Sequence, residues 1–106
     1  MIIYNVTVNI DTEIVEEWKS WMKSKHIPDV MNTGKFIDCR FSRILAEEQG
    51  GQAYSIQYLC KSKQAFDEYQ NDHAPALQEE HTQRYSGRFG AFRTLMEVEG
   101  QFTHEG

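Results

Sequence analysis

The sequence predicts an α+β fold in which two helical segments cover one face of a four-stranded antiparallel sheet. Four stretches alternate between apolar and polar side chains, which is the period of a strand, and two others repeat apolar residues at helical spacing. These stretches follow one another in the order strand, helix, strand, strand, helix, strand. We therefore expect two split β-α-β units that share one sheet.

Residues 53–60 form the clearest strand, which we expect at the centre of the sheet. Tyr54, Ile56, Tyr58 and Cys60 fall on one side, because side chains alternate across a strand. The positions between them are mixed and include Gln57. The sheet should therefore have an apolar face under the helices and a half-polar face opposite.

The first strand and helix are predicted over residues 2–31. Residues 2–10 alternate with the strand period, and Asp11 is placed to cap the helix that follows. Pro28 cannot continue a regular helix interior, so the helix should end or kink near Lys25 and restart as a short turn to Met31. Its inward stripe repeats every four residues and consists of Ile14, Trp18 and Met22.

A hairpin is predicted next. Its first strand covers residues 36–45, and a charged, glycine-bearing turn at 47–52 connects it to the central strand. In this strand we place Asp38, Arg40 and Ser42 on the half-polar face. The residues that we place on the apolar face are Ile37, Cys39, Phe41 and Leu45.

Ser62 is placed to cap the second helix, which should break near Pro75 and run to about Tyr85. A fourth strand follows over residues 89–98. We place Phe92, Met96 and Val98 on its apolar face, and Ala91, Arg93 and Leu95 on its half-polar face.

The complete set of elements predicts a ferredoxin-like βαββαβ sandwich as a single domain over residues 1–98. Residues 99–106 are expected to form a C-terminal tail. A chain of 106 residues can bury a core without a metal or a disulfide bond. Cys39 and Cys60 are accordingly expected to be buried free thiols, with redox pairing as the alternative.

Charge and hydropathy exclude several classes of partner. Sixteen acidic residues against eleven Lys and Arg give a formal charge of −5, whereas nucleic acids and anionic membranes bind clustered positive charge. No apolar run approaches the roughly 20 residues that span a bilayer. The first residues also lack the pattern of a secretion signal. We therefore expect a cytoplasmic protein that binds neither nucleic acid nor membrane.

The half-polar sheet face predicts self-association. It carries too many aliphatic side chains for a fully solvated surface, and it lacks the exposed aromatic residues flanked by Lys and Arg of an RNA platform. Two copies could pair arginine with Asp38 across a twofold axis and bury the aliphatic groups. The residues expected at this homodimer interface are Asp38, Arg40, Gln57 and Arg93.

The histidines give candidates for chemistry but not for a metal site. No two have the helical spacing of metal ligands, and the sequence has no HExxH or CxxC motif. His73 and His81 fall on roughly one stripe of the second helix. His73 could hydrogen-bond a carbonyl at the helix break, and His81 could be a packing residue or a pocket residue. Arg84 belongs either to an ion pair or to a site for an acidic ligand.

Several motifs resemble a family of short bacterial proteins known as domain of unknown function DUF4286. They are the start Met1-Ile2-Ile3-Tyr4-Asn5-Val6-Thr7, the segments 26–30 and 73–77, the strand end Tyr58-Leu59-Cys60, and residues 88–95. The family resembles the dimeric α/β barrel superfamily. The resemblance implies the fold and a dimer formed through the sheets, and it implies no function.

Cofactor-free oxygenases and haem-degrading oxygenases of that superfamily are also similar in layout. They use an Asn of the first strand, an aromatic residue of the second helix and a His further along it, and Asn5, Tyr69 and His81 occupy comparable places here. Tyr69 stands where haem degraders have Trp, and the break at Pro75 adds residues before His81. Both departures disfavour haem degradation.

We therefore expect a homodimeric small-molecule-binding protein or interaction module that needs no cofactor. The alternative is a cofactor-independent oxygenase or isomerase acting on a small aromatic or acidic substrate, with His81 as proton acceptor and Asn5 as amide donor. The residues expected to contact the ligand are Trp18, Tyr69, His73 and Arg84.

Overall fold

The computed structural model describes residues 1–46 and 50–105. Its strands are β1 (Ile2–Ile10), β2 (Phe36–Arg43), β3 (Gln52–Cys60) and β4 (Phe89–Glu97), which pair antiparallel in the order β2-β3-β1-β4. The predicted four-stranded ferredoxin-like sheet is confirmed. Residues 47–49 of the predicted hairpin turn lie outside the described residues.

The regular α-helix of the first helical region is interrupted before Pro28, around the predicted position of Lys25. Asp11 accepts a hydrogen bond from the Glu13 amide and caps a 3₁₀ turn (Thr12–Ile14), which leads into α1 (Val15–Trp21). A π-helical turn (Met22–His26) then connects α1 to α2 (Ile27–Met31), and the Ile27 amide donates to the Met22 carbonyl five residues back. Pro28 has no amide hydrogen, so a regular helix would lose one backbone hydrogen bond at this residue. The widened turn immediately before Pro28 accommodates this loss.

The second helical region is divided at Pro75. Ser62 accepts a hydrogen bond from the Ala65 amide and caps α3 (Lys63–Asp72), and α4 (Ala74–Tyr85) follows after His73. Pro75 lies in the first turn of α4, where a missing amide hydrogen leaves no helical bond unmade. The capping residue and the break were both predicted from the sequence.

The core lies between the sheet and the helices. The even-numbered residues of β1 and β3 point toward the helices, and Val8, Ile10 and Ile56 are at most 2% exposed. Trp18 of α1 is completely buried against them. Burying a large apolar side chain contributes about 1.5–3 kcal/mol, so these residues stabilise the packing of α1 on the sheet.

The predicted face assignment of β4 is wrong. Val6 faces the helices, and the register places Arg93 directly opposite it, so Arg93 lies on the helix side. Phe92 pairs with Thr7 on the other face and is 63% exposed. Because side chains alternate between the two faces along a strand, Ala91 and Leu95 also lie on the helix side, and Met96 lies on the opposite face.

A β-bulge corrects the prediction for β2. The pairing shifts between Phe36 and Asp38, so Phe36 occupies the buried position that we expected Ile37 to fill. Ile37 is 51% exposed, and Leu45, beyond the end of the strand, is 88% exposed. An extra residue in one strand reverses the alternation locally, and a strict period of two does not predict it.

The sheet face away from the helices, called the open face below, carries no helix. Asn5, Thr7 and Ser55 form a hydrogen-bonded row across its two central strands. After β4, Val98 donates to the Met1 carbonyl, and residues 99–105 have no regular secondary structure. In the part of the chain that the structure describes, no helix combines the length and apolar character needed to cross a membrane.

Candidate functional site

A cavity of about 50 Å³ lies between the helix side of the sheet and the helical layer. Residues from β1, β3, β4, the π-helical turn, α3 and α4 line it, and none of the described lining residues is acidic. The polar or titratable lining residues used below are Tyr4, His26, Tyr69, His81 and Arg93.

His81 of α4 is buried in the wall of this cavity and has a fixed tautomer. Its Nε2 accepts a hydrogen bond of 2.9 Å from Nε1 of Trp18, and an indole nitrogen can only donate. The ring proton of neutral His81 must therefore be on Nδ1, which bonds no group in the described part of the chain. His81 can accordingly donate a hydrogen bond to a ligand in the cavity.

His81 is uncharged at neutral pH. Burial, followed by the nearby His26 and the Arg93 guanidinium, lowers the pKa of His81 from 6.5 to about 4. Protonation would also place a hydrogen on Nε2 facing the Trp18 donor. The acceptor atom of neutral His81 is already occupied by Trp18 in this geometry, which favours a role for His81 as donor; its role as proton acceptor stays a prediction.

His26 is a cavity residue that the sequence analysis missed. It closes the π-helical turn, stacks on Trp21 at 5.2 Å between ring centroids, and lies 5.7 Å from the ring of His81. Its Nδ1 is buried without a hydrogen-bond partner, and burial lowers the pKa of His26. The available signal was Pro28, because a proline two residues later favours an irregular turn at His26.

Arg93 also lines the cavity, although we predicted it at the dimer interface. Its Nε donates a 3.0 Å hydrogen bond to the hydroxyl of Tyr4. No carboxylate of the described residues pairs with its guanidinium. Arg84 and Arg88 differ, because they bond Glu17 and Asp11 respectively.

The predicted ligand-binding residues separate into three groups. Tyr69 lines the cavity as predicted. Trp18 lies in the core and reaches the site only through His81. His73 and Arg84 lie outside the cavity lining: His73 stacks on Tyr69 at 6.3 Å, and Arg84 pairs with Glu17.

Asn5 cannot act together with His81 in one protomer. Asn5 lies on the open face, where its amide donates to Thr7 Oγ1 and its carbonyl accepts from Ser55. The sheet separates it from the cavity, so the structure does not bring Asn5 and His81 together within one chain.

The other three predicted interface residues do lie on the open face. Asp38 and Gln57 are exposed there, and so is Arg40, which pairs with Gln57 across β2 and β3. Their side chains form no hydrogen bond or ion pair within the described residues. They therefore remain available to a second copy of the chain.

Neither haem nor a metal ion fits this site. A cavity of about 50 Å³ is far too small for a tetrapyrrole. The lone pair of neutral His81 that could bind a metal is on Nε2, which already accepts a hydrogen bond from Trp18. Among residues 1–46 and 50–105, no three His, Cys, Asp or Glu side chains are grouped as a metal site.

The two cysteines also lie apart from the cavity lining. Both are free, Cys60 is completely buried, and burial raises the pKa of Cys39 to about 11. Register places Cys39 opposite Tyr58, and Cys60 opposite Phe36.

A family model described as domain of unknown function (DUF4286) matches residues 1–99. The match covers almost the whole chain, including every strand and every cavity residue. A search of curated proteins finds no match.

Solved structures share the fold at low sequence identity. HapK from Hahella chejuensis has a TM-score of 0.74 at 12% identity, with 100% of both chains covered. A dimeric ferredoxin-like protein from an uncultured marine organism has a TM-score of 0.67 at 14% identity, over 98% of this chain and 100% of that one. A variant of SnoaB, a cofactor-independent oxygenase from Streptomyces nogalater, has a TM-score of 0.68 at 12% identity, over 97% of this chain and 98% of that one.

Proposed function

Since the chain belongs to the DUF4286 family, whose description carries no activity, we propose a function from the site itself. The protein is a homodimer that binds a small molecule in the cavity between its sheet and its helices.

The observation that carries this proposal is a set of unpartnered polar groups around one cavity. Nδ1 of His26 is buried without a partner, and Nδ1 of His81 bonds no group among the described residues. The exposed guanidinium of Arg93 borders the same cavity and is hydrogen-bonded there only through its Nε. Buried polar groups in native proteins are normally hydrogen-bonded, and exceptions cluster at functional sites. The buried Nδ1 of His26 is such an exception, and it supports a binding role for the cavity.

Binding can be tested with small probes and a variant that fills the cavity. Nuclear magnetic resonance signals of the His81 ring should shift on titration with at least one of propanol, propionamide or propionate. Ala91 lies on the cavity side of β4, so Ala91→Leu should weaken this response. Ala76→Leu adds the same volume at an exposed position of α4 outside the cavity lining and should leave it unchanged. If no probe shifts the His81 signals, the cavity is not a binding site.

The open face carries exposed apolar side chains that favour association of two copies of the chain. Phe92 is 63% exposed and Met96 is 37% exposed, and both lie beside the hydrogen-bonded row of Asn5. Packing two such faces together would remove these side chains from water and allow Asp38 to meet Arg40 of a second copy. A fold relative of the same size is itself described as dimeric.

Light scattering after size-exclusion chromatography should give twice the chain mass of 12.4 kDa. Phe92→Glu places a charge within the proposed interface and should produce monomers, because an unpaired buried charge costs several kcal/mol. Gln70→Glu adds the same charge on the exposed side of α3 and should remain dimeric. A monomeric wild-type protein at micromolar concentration would refute the dimer.

A second candidate is a cofactor-independent oxygenase or isomerase. The unpartnered Nδ1 of His26 favours it, because a neutral buried imidazole with a free lone pair can accept a proton from a bound substrate. A relative with this fold is a cofactor-independent oxygenase. Oxygen uptake with a small enolisable acid such as pyruvate should then depend on His26 and be lost in His26→Phe. No uptake by the wild-type protein would leave binding alone as the function.

A further inference from the structure

We infer that the ligand of this cavity is a short-chain carboxylate, bound between the guanidinium of Arg93 and the Nδ1–H of His81. The inference rests on the proposed function, since it assumes that the cavity binds a small molecule, and it adds the chemical class.

The charge of the cavity favours a single negative charge on the ligand. None of the described lining residues is acidic, and Arg93 is the lining residue with a permanent charge. The low pKa values of His26 and His81 keep both rings neutral at pH 7. The empty cavity therefore has a net charge of about +1 in a chain whose formal charge is −5, and a monoanion would neutralise it.

The geometry favours a carboxylate over a spherical anion. Tyr4 occupies only the Nε of the exposed Arg93 side chain, and no other described residue bonds its guanidinium, so both terminal nitrogens can donate to two oxygens of one planar group. His81 offers a third donor, whose position is fixed because Trp18 holds the opposite ring nitrogen. Both imidazoles border the same cavity, so a ligand hydroxyl could also donate to the unpartnered Nδ1 of His26.

The size of the cavity limits the carbon chain. Its volume of about 50 Å³ is well below the roughly 150 Å³ of an engineered cavity that encloses benzene. An aromatic acid would not be enclosed, whereas acetate- and propionate-sized acids match this volume.

The test compares propionate with propionamide, which has nearly the same shape and no charge. Titrations at pH 7 follow the ring signals of His81 by nuclear magnetic resonance and the heat of binding by calorimetry. We expect propionate to bind at least about tenfold more tightly than propionamide, as charge-assisted hydrogen bonds imply. Butyrate and benzoate should bind more weakly than propionate.

Variants identify the group responsible. Arg93→Met should abolish the preference for propionate, and Arg93→Lys, which keeps the charge and loses the planar fork, should retain part of it. Arg43→Met is the matched control, because Arg43 is exposed, lies outside the cavity lining and forms no ion pair with another described residue. It should bind both probes like the wild-type protein.

The results separate the two proposals. If propanol or propionamide binds as tightly as propionate, or if Arg93→Met folds and keeps the preference, the carboxylate inference is wrong while the binding cavity stands. If none of the probes shifts the His81 signals, the proposed function itself fails.

Discussion

Acidification should destabilise this protein well before its carboxyl groups titrate, and His81 should be the main cause. The pKa of His81 is lowered to about 4 in the folded protein, against an ordinary value of 6.5. Between these values the unfolded chain binds the proton and the folded chain does not. The free energy of unfolding therefore falls as pH falls from about 6.5 to 4.

The magnitude follows from the same two values. Between pH 7 and pH 5, linkage predicts a loss of about 2 kcal/mol from His81 alone, and the full shift is worth about 3 kcal/mol. His26 adds to the loss, because burial lowers its pKa as well. Hydrogen bonds lower the pKa values of Asp11 and Glu68, whose ordinary values are 3.8 and 4.5, so their stabilising effect disappears only at lower pH. Between pH 5 and 7, the pH dependence of the free energy of unfolding should therefore come mainly from the histidines.

Urea unfolding at half-unit pH steps between 5 and 7 measures this slope. His81→Gln is the test variant, because its amide never titrates and its oxygen can accept from Trp18. It should lose most of the pH dependence, whereas His104→Gln in the exposed tail should not. Equal slopes in the wild-type protein and His81→Gln would refute the claim that His81 is buried and neutral.

Three further predictions follow from single contacts. Trp18→Phe leaves Nε2 of His81 without a donor and opens a void, so it should lower the free energy of unfolding in urea by about 2–4 kcal/mol. It should also raise the pKa of His81 measured by nuclear magnetic resonance. An unchanged pKa would show that the Trp18 hydrogen bond does not determine the protonation of His81. Gly51→Ala should lower the free energy of unfolding by about 1–3 kcal/mol, since φ is +141° and an added Cβ would lie 3.0 Å from the Ile10 carbonyl. Gly34→Ala, with φ +76° and open space around it, should lower it by about 1 kcal/mol. Equal losses of stability in the two variants would contradict the steric argument. Iodoacetamide at pH 7.5 should label neither cysteine in the native protein, because Cys60 is buried and the pKa of Cys39 is about 11, and rapid labelling of either would contradict the fold around β2 and β3.

The helices and strands could be predicted from the sequence because residues close to their ends determine where they begin and stop. The predicted first strand, 2–10, coincides with β1, and the capping roles of Asp11 and Ser62 and the breaks at Pro28 and Pro75 were all expected. Caps and prolines act on the backbone within a few residues, so no tertiary information is needed to predict them.

The faces of the outer strands were harder to predict, because an edge strand is apolar on both sides. Phe92 and Met96 suggested one face of β4, although Phe89 and Leu95 fit the other equally well. The pairing of Val6 with Arg93 decides between them. The error moved Arg93 from the cavity to the open face in the prediction, and with it the positive charge of the site.

The polar chemistry of the site depends on contacts that no local pattern reveals. Trp18 and His81 are 63 positions apart, and their hydrogen bond favours a donor role for the expected base. His26 enters the cavity only because a π-helical turn precedes Pro28. Residue types and spacing identified His81 and Tyr69 as candidates, whereas the roles of the cavity groups depend on the folded geometry.

The most direct test of the account is a long-range proton–nitrogen correlation spectrum of His81 at pH 7, recorded with and without propionate. We predict a neutral ring with its hydrogen on Nδ1, a hydrogen-bonded Nε2, and a shift of the Nδ1 signal as propionate is added. A ring protonated on Nε2, or an Nδ1 signal that does not respond to any small probe, would contradict the account of this cavity.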